Sequence, residues 1–185
     1  MWAYLSTWVV QDGELPELRR GSILSNYGIR ASGQRIDEPS DDGLELITQP
    51  AHNRPEEFRY RLGGTINWAR PDTSEWVIRS GASSFIALLG GWRLPLASVG
   101  DPVTLSCSLS VIPEYEWESF ALPDVRRDWR VEALKVSHRP IDWSRGGEGR
   151  PGDVIDVVDI NEMHRWDDER PGHSSTYVLD LRPIP

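Results

Sequence analysis

Across residues 103–111 the chain reads VTLSCSLSV, with apolar and hydroxyl-bearing side chains alternating without an exception. On a helix Val103, Leu105, Cys107, Leu109 and Val111 would scatter around the circumference, whereas a pleated strand gathers them on one face. Thr104, Ser106, Ser108 and Ser110 then line the other face. This stretch therefore has to be a strand with one side in a core. Cys107 is the only cysteine, which excludes an internal disulfide framework. Its place in the apolar phase marks it as a small core residue rather than a nucleophile.

Shorter strand signals flank this one. Residues 2–11 are rich in aromatic and β-branched side chains and close on the turn Asp12-Gly13. A second strand over 23–29 is expected beside it, antiparallel. Further strands are expected over 44–48 and from Phe58 to Trp68, with Gly63-Gly64 as a bend of the barrel-corner type. A turn at 71–74 leads to a strand over 76–79, and the apolar run 85–89 reads as a buried strand. Later strands are expected at 129–136, 153–160 and 176–184, with a polar connection over 161–175. Leu122-Pro123-Asp124 is the one expected start of a helical turn. Residues 143–152, WSRGGEGRPG, read as a loop or lid.

The fold class that follows is all-β, an antiparallel barrel or sandwich of about ten strands with little helix. A single compact β domain over 1–185 is the favoured organisation. The alternative is two pseudo-repeated units, 1–80 and 83–185, each with the five strands of an OB-like barrel. Its support is a partial echo: Leu15-Pro16 and Gly21-Ser22 recur as Leu94-Pro95 and Gly100-Asp101 at one shared offset, each pair followed by a strand.

A formal net charge of −9 repels a phosphate backbone and disfavours a nucleic-acid partner. No apolar run approaches the length of a membrane span, and the N-terminus lacks a basic, then apolar, leader. A soluble cytoplasmic protein is expected, with no membrane association.

Chemistry-bearing motifs are sparse. His164 and His173 flank Asp167 and Asp168 in one polar stretch and are weak candidates for metal ligation, at a spacing that matches no metal signature. His138 and His52 read as surface or internally satisfied histidines. Asp153, Asp156 and Asp159 lack the spacing and glycine of a calcium loop, and neither a phosphate loop nor a nucleophile elbow occurs. No metal site or cofactor is expected. The chain holds nine tryptophans, most of them needed as core. Trp117, Trp143 and Trp166 stand beside charges in expected loops or strand ends and are the candidate binding residues.

The expected function is a non-catalytic binding protein whose acidic surface docks a protein partner with a basic surface. One alternative is a β-barrel that binds a small apolar ligand in a Trp-lined pocket, including a cyclase or isomerase. A second alternative, an OB-like binder of single-stranded nucleic acid, lacks a basic groove.

Overall fold

A computed structural model describes the chain except residues 39–40, 49–57, 71–74, 90–97, 121–122, 143–149, 153–155 and 165–170. For Trp8, Thr48, 118–120, 142, 150 and 151 it describes the backbone alone. The described elements run β1 (Trp2–Ser6), α1 (Thr7–Gln11), β2 (Ile23–Tyr27), β3 (Ile29–Arg35), β4 (Gly43–Thr48), β5 (Arg59–Ala69), β6 (Glu75–Ser80) and β7 (Ser83–Leu89). They continue as β8 (Pro102–Val111), α2 (Glu114–Phe120), β9 (Arg127–Asp142), β10 (Arg150–Pro151), β11 (Asp156–Ile160) and β12 (His173–Pro183). Among the described residues strand predominates and helix is confined to α1 and α2. The all-β expectation is correct. The described residues form two compact units, one of Met1–Ser25 and Asp128–Pro185, the other of residues 26–48 and 58–127. Neither is a continuous run of the sequence.

The second of these units is a closed five-stranded barrel. Strand β8 pairs antiparallel with β3 on one edge and with β5 on the other. Strand β5 continues to β6, β6 to β7, and β7 returns to β3 in a parallel pairing, Arg30 opposite Ile86 through Gly33 opposite Leu89. The sequence pattern suggested antiparallel strands throughout, but strand polarity is set by connections between distant segments. The face carrying Val103, Leu105, Cys107, Leu109 and Val111 is buried as its alternation requires. Ile29, Ala31, Leu62, Ile66, Ile78 and Phe85 are buried with it. Burying one such aliphatic or aromatic side chain contributes roughly 1.5–3 kcal/mol.

Two glycines let this barrel coil. A Cβ on Gly33 would lie 2.0 Å from the Ser106 carbonyl oxygen, so β3 crosses β8 at a distance no other residue permits. A Cβ on Gly64 would lie 2.2 Å from the Arg79 carbonyl oxygen. Here β5 changes partners: residues up to Gly63 pair with β4, and those from Thr65 onward pair with β6. The bend expected at Gly63-Gly64 is thus the point where one strand leaves an added edge strand and enters the closed barrel. Strand β4 lies outside the closure, paired with β5 alone among the described residues.

Helix α2 forms earlier than the turn expected at 122–124. Pro113 precedes it with a fixed backbone, Glu114 and Glu116 occupy its first turn, and the Glu116 N–H donates to the Pro113 carbonyl at 3.1 Å. An ion pair between Arg30 and Glu116 ties it to β3. Its Trp117 packs with Val77, Ile86 and Ile112, and against the partly buried Trp68 and Val125.

In the other unit β12 lies between β1 and β9, and β9 pairs along its remaining edge with β11 and β10. Strand β2 also pairs with β9. Ala3, Leu5, Trp129, Leu134, Val136, Tyr177, Leu179 and Leu181 form the buried layer. The N-terminal ammonium reaches Asp180 at 2.9 Å. The strand expected over 2–11 stops at Ser6, and its neighbour here is β12 rather than the 23–29 strand. The chain then turns through α1, and two residues past its end Gly13 adopts φ 80°, a backbone only glycine adopts freely. Val9 and Val10 are fully buried there, so burial outweighs their β preference. Likewise β12 begins at His173, inside the expected 161–175 connection, because His173, Ser174 and Ser175 extend the ladder opposite Pro140, Arg139 and His138.

Candidate functional site

The residues singled out from sequence fall in unlike places. Trp117 sits on α2 rather than in a loop, and it is buried. Its indole lies so close over Gly28 that a Cβ there would be 2.2 Å from the ring, and the Arg126 guanidinium stacks 5.5 Å from a ring centroid. The indole Nε1 is buried with no acceptor among the described residues. Trp143 and Trp166 lie outside the described residues. His164 is exposed, and its carbonyl accepts the Tyr177 hydroxyl at 3.2 Å. His173 opens β12, with Nδ1 3.0 Å from the Pro171 carbonyl. Among the described residues no group of three or more His, Cys, Asp or Glu side chains is placed to hold a metal.

Burial pushes the Cys107 thiol up to about 12, against a smaller opposing pull from Arg59. At neutral pH it is a protonated, fully buried thiol, which neither attacks nor ligates.

Two arrangements exist that no catalytic or metal-ligand motif announces. The first is a polar row across β11, β9 and β12, joined by Thr7 of α1. Register sets Asp156 of β11 opposite His138 of β9, and His138 opposite Ser175 of β12. His138 Nδ1 stands 2.9 Å from Ser175 Oγ, and the Thr7 hydroxyl donates to the Ser175 carbonyl at 3.1 Å. His138 and Ser175 are buried at 4% and 7% exposure. Each satisfies a polar group of the other, which burial of an imidazole and a hydroxyl demands. A serine and its general base need the same contact, together with access for a substrate. A signal was present in the sequence. His138 continues the apolar phase of Leu134 and Val136, and Ser175 that of Tyr177 and Leu179, so both strands turn polar on their buried face at the same end.

The second arrangement is acidic. Residues 35–47 hold five carboxylates, Asp37, Glu38, Asp41, Asp42 and Glu45, against one cation, Arg35. Arg61 on β5 reaches Glu38 at 2.9 Å and Glu45 at 3.6 Å. The Asp42 carboxylate accepts the Gly81 N–H at 2.8 Å and so secures the β6 to β7 turn, where Gly81 has φ 55°. Beside these carboxylates β4 exposes Leu46 at 38% and Ile47 at 40%. Leu44 and Leu46 stand opposite Leu62 and Tyr60, so they prolong an apolar face past the last strand of the closed barrel.

No family model matches the chain, and no curated protein or solved structure matches it either.

Proposed function

We propose that this protein is a non-catalytic interaction protein that docks a protein partner bearing a basic surface, with the acidic segment around β4 as the contact. The observation that carries the reading is the juxtaposition just described: five carboxylates beside an edge strand with two exposed aliphatic side chains. Apolar side chains rimmed by charge of one sign are the composition of a protein contact, with charge steering the encounter and apolar area supplying affinity. The overall charge of −9 acts in the same direction.

The alternatives draw less support. Interiors of about eight strands are the size that side chains just fill or that hold one small ligand. A five-stranded barrel is narrower, and buried Leu62, Ile66, Ile78, Phe85, Leu105 and Leu109 occupy this one. Five strands close the barrel, but its first strand β3 pairs with β7 and β8 rather than with β5, and single-strand binding would need a basic groove in a chain whose net charge is −9. The contact between His138 and Ser175 favours a second reading, a serine hydrolase. A fluorophosphonate probe would label Ser175 in that case, and would lose the label in the His138→Ala variant.

The test of the main reading is capture from a native lysate at low and high salt, comparing the natural chain with an Asp37→Asn, Asp41→Asn, Glu45→Gln variant. A partner retained at low salt, released by salt and lost with the variant supports it. Capture that ignores both salt and the three substitutions overturns it.

A further inference from the structure

We infer that the basic partner docks as an extended strand added to the free edge of β4. This rests on the acidic-docking reading above and specifies how contact is made. Strand β4 pairs with β5 along one edge, in register from Gly43 opposite Gly63 to Leu46 opposite Tyr60, with a register shift only between Leu46 and Thr48. Among the described residues its other edge has no neighbouring strand. An edge strand leaves alternate N–H and C=O groups unpaired, and those groups template another strand.

Natural edges are commonly blunted with lysine, proline or a very short strand. GLELIT contains neither lysine nor proline, and six residues is an ordinary strand length. What the edge does carry is negative charge, Glu45 within it and Asp37, Glu38, Asp41 and Asp42 leading into it. That charge selects the occupant. A second copy of this chain added edge to edge would bring each carboxylate cluster against its twin, and like charges across a strand pair destabilise it. A strand with Lys or Arg opposite Glu45 gains cross-strand pairs instead. Leu44 and Leu46 would meet the apolar side chains of such a strand on one face, and Glu45 its cations on the other.

The probe is a seven-residue peptide, acetyl-KVKVKVK-amide, with two analogues N-methylated at every lysine or at every valine. N-methylation removes the edge N–H groups of one side of the added strand and leaves the charge unchanged. The expected result with the intact natural chain is saturable binding at low salt, protection from hydrogen exchange within 43–48, and at least tenfold weaker binding of one analogue only. Salt-sensitive binding that both analogues keep equally would overturn strand addition and leave acidic docking standing. Protection elsewhere in the chain would also overturn it, as would a dimer of the free chain with 43–48 already protected. Failure to bind the peptide, in a protein whose lysate partner still depends on Asp37, Asp41 and Glu45, refutes the strand mode alone. Loss of both dependences refutes the acidic reading as well.

Discussion

Strands β8 and β4 belong to the same unit, and Leu44-Glu45-Leu46 repeats in brief the alternation of β8, yet they do different work. Strand β8 has a partner on both edges and hides Leu105, Cys107 and Leu109 completely. Strand β4 has one described partner, and its corresponding Leu46 is 38% exposed. Periodicity therefore states that a segment is a strand and which side chains share a face. Whether an edge is free is decided by segments far away in sequence, and a binding surface arises where an edge is left over.

The largest expected effect sets these strands against each other directly. Leu105→Asp should cost about 4 kcal/mol or prevent folding, since it buries an unpaired charge, while Leu46→Asp should cost under about 1 kcal/mol. Urea unfolding of both variants measures this, and equal losses would mean that β4 is covered.

Cys107 sharpens the contrast through pH. Its folded value of about 12 lies above its ordinary 9.0, so the folded state holds the proton longer than the unfolded chain does. The associated stability is complete below pH 9.0 and is lost as pH rises towards 12. A thiol reagent at pH 8 should leave native Cys107 unmodified and react with it at once in denaturant. Rapid native labelling would show that β8 opens.

Backbone approach gives a smaller difference. Gly33→Ala places a Cβ against the Ser106 carbonyl and should cost about 2–3 kcal/mol. Gly43→Ala at the start of β4 meets nothing within 4 Å and should change stability by less than about 0.5 kcal/mol.

The smallest effect is at the exposed Asp124, which Arg126 holds below the ordinary carboxylate value by hydrogen bonding. The depressed value means that this contribution is present above pH 3.8 and fades as pH falls through the lower folded value. Exposure limits it, so Asp124→Asn should shift the urea midpoint little, in keeping with surface pairs worth about 0–1 kcal/mol.

What was legible follows from the same division. The central strand, the strand at β4, the bend at Gly63-Gly64 and the buried run at β7 all rest on local pattern, and each is a strand or bend where expected. Helix α2 was not legible, because Tyr115, Trp117 and Phe120 are as common in strands as in helices and only Pro113 with the two glutamates marks its start. The parallel pairing of β3 with β7 and the meeting of His138 with Ser175 depend on register, which no window of sequence contains. The acidity of residues 35–47 is legible as composition. Its place beside an edge with no neighbouring strand among the described residues follows from β5 leaving β4 for β6, which no local pattern states.

Calorimetric titration of the Lys/Val peptide into the natural chain and into the Asp37→Asn, Asp41→Asn, Glu45→Gln variant, at about 20 mM and about 500 mM salt, tests the central claim most directly. Docking at the acidic edge predicts measurable binding to the natural chain at low salt, at least tenfold weaker binding at high salt, and weak binding to the variant at both. Equal affinity for the two proteins, or binding indifferent to salt, would contradict it.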